Sequence, residues 1–208
     1  MKTIVCFGDS NTYGADPATG ARHAPDMRWT GVLQAELGTG YRVIEEGLSG
    51  RTTNLEDIIE PNRNGLTHLA PCLESHAPID LVTIMLGTND LNARFNRNAS
   101  DIAQSAGLLA KIARSMRVGP DDGPPKVLLM APPVVVGLTD FDGMFAGAIE
   151  KSKRFAHYYA IWAENYHVEL LDAGSVIVSS PIDGIHIDAP EHGKLGRAVA
   201  AKVREIIE

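Results

Sequence analysis

Five short apolar runs are spaced along the chain. They are Thr3–Phe7, Tyr41–Ile44, Leu81–Leu86, Val127–Met130 and Val168–Leu171. Apolar and polar side chains do not alternate within them, which is typical of parallel strands buried on both faces of a sheet. The pattern therefore predicts a parallel five-stranded sheet at the centre of the fold.

Apolar residues recur at helical spacing in four further segments. These segments are Trp29–Leu37, Ile102–Met116, Ile149–Ala163 and Leu195–Ile206. Gly38 or Gly40 ends the first, and Asp188, three residues before Glu191, is a capping-box signal for the last. Because strand and helix alternate, we predict an α/β fold with residues 1–208 in a single domain.

Composition and charge narrow the class of protein. Hydrophobic residues make up 44% of the chain, charged residues 22%, and the net charge is −7, which is ordinary for a globular domain. Lys and Arg do not cluster, so we expect no nucleic-acid partner. No apolar stretch reaches the roughly 18 residues of a membrane span, and the first apolar run is too short for a signal peptide, so we expect no membrane partner and a cytoplasmic location. Cys6 and Cys72 are too few for a disulfide scaffold, and we interpret both as small core residues.

Four polar clusters follow the predicted strands. They are Gly8-Asp9-Ser10-Asn11 after the first, Gly47-Leu48-Ser49-Gly50-Arg51 after the second, Gly87-Thr88-Asn89-Asp90 after the third, and Asp183-Gly184-Ile185-His186 between the fifth and the last helix. Ligands of open parallel α/β sheets bind beyond the carboxyl ends of the strands. We therefore expect all four clusters to lie together along one edge of the sheet.

These clusters contain the groups that nucleophilic catalysis requires. Ser10 follows a strand through a tight turn, which suits a nucleophile. Of the seven histidines, only His186 has an acid three residues earlier in a loop with glycine, so Asp183 can orient its ring and His186 can act as base toward Ser10. The backbone N–H groups of Ser10 and Gly50 and the side-chain amide of Asn89 are the candidate donors to an oxyanion. Simpler roles are an N-cap for Ser10, turn positions for Gly50 and Asn89, and an exposed turn for Asp183 and His186.

In type and order, the four clusters resemble the four blocks of the SGNH hydrolases, also called the GDSL family. The resemblance implies a three-layer sandwich whose five-stranded parallel sheet has the flavodoxin-like order 2-1-3-4-5. It also implies ester hydrolysis with Ser10, Asp183 and His186 as triad and Ser10, Gly50 and Asn89 as oxyanion hole. We expect no cofactor and no metal, since His186, Asp188 and His192 lack a known ligand spacing.

A narrower resemblance is to the bacterial aryl esterase/acyltransferase subgroup. Its segments here are Arg28-Trp29-Thr30-Gly31, Glu45-Glu46-Gly47-Leu48-Ser49, Arg51-Thr52-Thr53-Asn54, Ile84-Met85-Leu86-Gly87 and Asp172-Ala173-Gly174-Ser175-Val176-Ile177. The subgroup implies small, short-chain acyl esters as substrates, acyl transfer to alcohols or peroxide, and a homo-oligomer assembled through loop insertions. We expect loops 15–28, 118–125 and 132–147 to shape the pocket and the subunit contacts. Asn11 replaces the Leu of the family's nickname, and Glu45 stands where many members carry Asn.

Two other functions stay open at this stage. The same family includes carbohydrate deacetylases, thioesterases and lysophospholipases. A flavodoxin-like binding module without hydrolase activity is the alternative from another class, since this strand order also hosts phosphate ligands at the first turn. The chain has neither a Gly-x-Gly-x-x-Gly nor a Walker pattern, which disfavours the binding module.

Overall fold

Five parallel strands form one sheet in the computed structural model, which describes residues 1–207. They are β1 (Lys2–Gly8), β2 (Tyr41–Gly47), β3 (Leu81–Met85), β4 (Lys126–Ala131) and β5 (Glu169–Asp172). The order across the sheet is β2-β1-β3-β4-β5, and all four neighbouring pairs are parallel. The predicted α/β class and strand order are confirmed.

Seven α-helices surround the sheet within the described residues. They are α1 (Ser10–Tyr13), α2 (Trp29–Leu37), α3 (Gly65–His76), α4 (Ala99–Ser115), α5 (Ala148–Ser152), α6 (Phe155–Tyr166) and α7 (Ala189–Ile207). Helices α2 and α7 pack together on one face, and α3, α4 and α6 cover the other. The result is the three-layer sandwich that the sequence predicted. No helix in the described part of the chain is long and apolar enough to cross a membrane.

Strand β1 shows why the apolar runs lack alternation. Its side chains do alternate in direction: Ile4 and Cys6 join the core under α2 and α7, whereas Val5 and Phe7 join the core under α3, α4 and α6. Both faces of the sheet are covered, so all four side chains are fully buried. A central parallel strand therefore needs apolar residues at every position.

Helix α3 was not predicted. It contains Pro71, which removes a backbone donor and is normally a signal against a helix interior. Two observations explain why the helix forms. The Asn64 side chain caps its start by accepting from the N–H groups of Leu66 and Thr67, and its buried apolar side, including Leu69, packs into the core beside β1.

Most predicted bounds differ from the observed ones by a few residues, and two of the differences have a clear cause in the structure. The apolar segment Ile149–Ala163 is split between α5 and α6, and Ser152 at the end of α5 accepts from the Val135 N–H at 3.0 Å. Strand β2 continues past Ile44 because its last three residues, although two of them are acidic, pair with the end of β1.

Candidate active site

Ser10 lies at the carboxyl end of β1, as the first residue of the single-turn helix α1. The Asp9 carboxylate caps this turn by accepting from the Asn11 N–H at 3.0 Å. Gly14 ends it in the left-handed conformation, with φ 87°. Although Ser10 is only 6% exposed, it lines an open cavity beyond the carboxyl ends of the strands.

Asp183 and His186 lie on a tight turn that precedes α7. Oδ1 of Asp183 accepts from the backbone N–H groups of Ile185 and His186, both at 2.9 Å, so the carboxylate is fixed before it meets the ring. Gly184 adopts φ +81°, and a Cβ atom there would lie 2.6 Å from the Val136 carbonyl oxygen. The turn therefore requires glycine for both its conformation and its packing.

The two segments meet in a hydrogen-bonded chain. His186 Nδ1 lies 2.6 Å from Asp183 Oδ2, and His186 Nε2 lies 3.0 Å from Ser10 Oγ. An ionised carboxylate only accepts hydrogen bonds, so Nδ1 carries the ring proton and Nε2 faces the hydroxyl with its lone pair. Asn11, the departure from the family pattern, donates to the Ile185 carbonyl at 3.2 Å and so joins the serine turn to the histidine turn.

The pKa of Asp183 lies below its ordinary value. Burial acts to raise it, but the hydrogen bond from His186 and the two backbone N–H donors outweigh that effect. Asp183 is therefore ionised at neutral pH, as a partner for a cationic imidazole must be.

The candidate oxyanion donors line the same cavity as Ser10 and His186. Asn89 begins a 3₁₀ turn after β3, and its Nδ2 donates one hydrogen to the Arg51 carbonyl at 2.9 Å. The second N–H of that amide is left for a ligand. Gly50 has φ +78° in the turn after β2, so its peptide approaches the cavity in a conformation that side chains disfavour.

Buried polar contacts tie the turns after β1, β2 and β3 together. Arg51 is buried, with 4% of its surface exposed. Its Nη1 donates to the Gly8 carbonyl at 2.8 Å and to the Glu46 carbonyl. The guanidinium carbon lies 4.1 Å from the centroid of the Phe7 ring. Asp90 accepts from the Thr53 N–H at 2.9 Å and from the Thr53 hydroxyl. Sequence reasoning did not assign these roles to Arg51 and Thr53, since a basic or hydroxyl residue in a turn is ordinarily exposed.

Two carboxylates lie buried beneath the donors. Burial raises the pKa values of Asp9 and Asp90 from 3.8 to about 6 each, against hydrogen bonds and nearby positive charges that act to lower them. At neutral pH both are ionised, and negative charge at the first turn disfavours the phosphate ligand of a flavodoxin-like module.

The cavity measures about 510 Å³. Loops 15–28 and 132–147 both contribute to its wall, as expected, and the Phe141 ring meets His186 edge-on at 6.4 Å between centroids. Besides Asp183, four carboxylates line it, a set that we call the acidic rim: Asp16, Asp57, Glu60 and Asp140. The cation Arg94 lies among them, 2.5 Å from Asp57.

Loop 118–125 does not share this position. Of the described residues, none between 118 and 125 lines the cavity, because this loop lies beside the start of β4 at the opposite edge of the sheet. The expectation that it shapes the pocket was wrong.

Comparison with known proteins gives close matches. A family model described as the GDSL-like lipase/acylhydrolase family matches residues 6–192. The native aryl esterase of M. smegmatis is 43% identical over 99% of this chain and 100% of its own, with a TM-score of 0.94. A carbohydrate acetylesterase from Sinorhizobium meliloti is 42% identical over 99% of both chains, with a TM-score of 0.94. A carbohydrate acetylesterase family member from the same organism is 37% identical over 100% of this chain and 99% of its own, also at 0.94. No curated protein sequence matches.

Proposed function

Since the chain belongs to the GDSL-like lipase/acylhydrolase family and is a carboxylic ester hydrolase, we propose that it acts as a serine esterase through Ser10, His186 and Asp183. The observation that carries the proposal is the hydrogen-bonded chain from Asp183 through His186 to Ser10, which ends at a cavity that Gly50 and Asn89 also line. A binding module has no need of a base aimed at a serine hydroxyl.

In the first half of the reaction, Ser10 Oγ attacks the ester carbonyl carbon while His186 Nε2 takes the hydroxyl proton. The new imidazolium is stabilised by ionised Asp183. The Ser10 and Gly50 N–H groups and the free N–H of Asn89 stabilise the negative oxygen of the tetrahedral intermediate. As that intermediate collapses, the alcohol leaves with the proton from Nε2 and the acyl group stays on Ser10.

In the second half, water attacks the acyl-enzyme and gives its proton to His186. The second tetrahedral intermediate collapses to the carboxylic acid, and Ser10 Oγ leaves with the proton from His186 Nε2, which regenerates the enzyme. An alcohol or peroxide that reaches the same position would accept the acyl group by the same steps. An alcohol added to the assay tests this: we expect a new ester among the products, and its absence at high alcohol concentration would restrict the enzyme to hydrolysis.

The cavity favours small acyl esters. Its volume suits a ligand of modest size. Phe141 and Phe145 supply apolar contact area beside the catalytic histidine. We propose short-chain aryl and alkyl esters as the substrate class, in keeping with the aryl esterase relative.

Acetylated carbohydrates are a second candidate substrate class. The S. meliloti relatives favour it, and the exposed rim carboxylate Asp140 supplies oxygen acceptors for sugar hydroxyl groups. A panel of aryl acetates and acetylated sugars distinguishes the two classes by kcat/KM. If sugars are the substrate, replacing rim carboxylates by alanine should reduce sugar-ester turnover and leave aryl acetate turnover unaffected.

Ser10→Ala is the direct test of the proposed mechanism. Removing the nucleophile should lower kcat for p-nitrophenyl acetate by a factor on the order of 10⁶. Ser49→Ala is the matched control, because Ser49 also lines the cavity from a Gly-rich turn but has no base beside it in the proposed chain. Undiminished turnover in Ser10→Ala would contradict the mechanism. Failure of a fluorophosphonate to label the protein, together with a bound nucleotide or flavin, would favour the binding module.

The homo-oligomer and the cytoplasmic location stay predictions. Light scattering of the purified protein tests the first, and fractionation of the source cells tests the second.

A further inference from the structure

Three potential metal ligands meet outside the catalytic cavity. Glu46 lies near the end of β2, and Cys72 and His76 lie on α3. One carboxylate oxygen, the sulfur and one ring nitrogen all lie within 4.8 Å of one another. Across residues 1–207, this is the one set of three or more His, Cys, Asp and Glu side chains with such a geometry.

The fold explains why the three side chains converge. Cys72 and His76 are four residues apart on α3, so they lie on the same side of the helix, one turn from each other. Strand β2 is at the edge of the sheet, and Glu46 pairs in register with Phe7 of β1. His76 Nε2 and Glu46 Oε1 are 2.7 Å apart, so the strand end and the helix end are already in contact.

The contacts within the cluster use the same atoms that would bind a metal ion. The Glu46 carboxylate takes a hydrogen from His76 Nε2, and the Cys72 sulfur lies within 4.8 Å of both ligand atoms. Burial, followed by the negative charge of Glu46, raises the pKa of the Cys72 thiol to about 12. A metal ion at this position would take the place of the thiol proton, because the thiolate is the form of cysteine that binds metals.

The donor set identifies the class of ion. One thiolate, one imidazole and one carboxylate suit Zn²⁺, which binds sulfur, nitrogen and oxygen ligands in a tetrahedron. Tetrahedral coordination needs these atoms about 3.3–3.6 Å apart, given Zn–S near 2.3 Å and Zn–N near 2.0 Å. The His76 and Glu46 side chains are 24% and 30% exposed, so both have room to adjust. The fourth position would remain open to water.

We propose that Glu46, Cys72 and His76 form a Zn²⁺ site that joins the end of β2 to the end of α3. The bound site has no net charge, because the ion balances one thiolate and one carboxylate. The site adjoins the turn that carries Gly50, because Arg51 of that turn donates through Nη1 to the Glu46 carbonyl. The proposal is independent of the esterase mechanism, which uses none of these three side chains.

The test uses the untagged, metal-free full chain. Competition with a chromophoric chelator should show one equivalent of Zn²⁺ bound, and Co²⁺ should give a thiolate charge-transfer band in the near ultraviolet. Cys72→Ser should abolish that band and weaken Zn²⁺ binding. Loss of an outer-shell partner typically weakens metal binding about 10–100-fold, and loss of a direct ligand should weaken it more than that. His68→Ala is the matched control, because His68 is an exposed histidine of the same helix outside the cluster. It should bind Zn²⁺ as the wild type does.

Three results would overturn the proposal: equal Zn²⁺ affinity in wild type and Cys72→Ser, a Co²⁺ band that persists in Cys72→Ser and so comes from Cys6, or loss of Zn²⁺ binding in His186→Ala. The last would assign the ion to the catalytic histidine. Circular dichroism checks that each variant folds. If Cys72→Ser does not, Glu46→Gln and His76→Gln make the same comparison through the other two ligands.

Discussion

Replacing Asp183 by Asn probes the catalytic chain without changing its shape. In the wild type, Oδ1 accepts from two backbone N–H groups and Oδ2 from His186 Nδ1. The amide of Asp183→Asn must keep its oxygen toward the two N–H groups, because an NH₂ group there would face two donors. Its nitrogen then faces His186 Nδ1 across the present 2.6 Å gap.

That orientation moves the proton of the ring. An amide N–H can only donate, so Nδ1 must become an acceptor and the proton transfers to Nε2. Nε2 lies 3.0 Å from Ser10 Oγ and, once protonated, has no lone pair for the serine proton. The wrong tautomer lowers kcat by about 10⁴ in enzymes of this mechanism. The loss corresponds to about 5 kcal/mol of activation free energy.

Stability should change far less than activity. The two backbone hydrogen bonds to Oδ1 survive the substitution, so the turn stays in place. The lost charge-assisted bond costs about 1–3 kcal/mol. Because the folded-state pKa of Asp183 is depressed, its contribution is present above the unfolded-state pKa and is lost as the pH falls through the folded value. Asp183→Asn should lack this loss of stability in acid.

Stopped-flow hydrolysis of p-nitrophenyl acetate, together with urea unfolding, separates the two effects. Asp188→Asn is the matched control, since it makes the same chemical change two residues beyond His186 and outside the hydrogen-bonded chain. It should retain wild-type kcat. The reasoning is refuted if Asp183→Asn stays within tenfold of wild type, or if Asp188→Asn loses as much.

Three further predictions concern the turns and the cavity. Gly184→Ala should lower the free energy of unfolding by at least about 1–2 kcal/mol and reduce kcat, because φ is +81° and the new Cβ would contact the Val136 carbonyl. The control is Gly143→Ala, whose Cβ would have no atom within 4 Å and which should leave urea unfolding unchanged. Burial raises the folded-state pKa of Asp9, so the free energy of unfolding of the wild type, measured relative to Asp9→Asn, should be highest below pH 3.8. It should fall by about 3 kcal/mol as the pH rises through about 6. A difference between the two proteins that stays constant across a pH series of urea titrations would contradict this. Because the acidic rim repels anions, kcat/KM for a neutral aryl acetate should exceed that for the anionic succinate ester of the same phenol by on the order of tenfold at low ionic strength. A ratio of the two kcat/KM values that does not change with salt concentration would contradict this prediction.

The sheet and its functional edge were predictable because each depends on a strong local signal. The central strands β1, β3 and β4 are buried on both faces and are therefore apolar at almost every position, and shorter apolar runs identify the partly buried edge strands β2 and β5. The end of each run identifies the edge at which ligands bind. Helix α3 escaped prediction because Pro71 is a local signal against a helix, and only packing against the core outweighs it.

The groups proposed for catalysis were predictable for a different reason. Few side chains can serve as nucleophile, base or neutral amide donor, so Ser10, His186 and Asn89 stand out within polar clusters. The cavity wall has no such restriction. Phe141 was not identified, because any apolar residue of a long loop could supply the same contact with His186, and only the folded loop determines which one does.

Arg51 is a polar residue near the candidate site whose role was not predictable from the sequence. Arg51 donates to the carbonyls of Gly8 and Glu46 at the ends of β1 and β2, although the Gly8 carbonyl already accepts from the Leu48 N–H at 3.1 Å. Sequence shows neither that this additional donor is present nor which residue supplies it, since Lys, Asn or an ordered water could do so. The guanidinium meets both carbonyls from one side chain and also lies over the Phe7 ring. Its own carbonyl then accepts from Asn89, so the position of a candidate oxyanion donor depends on an arginine that does not touch the substrate.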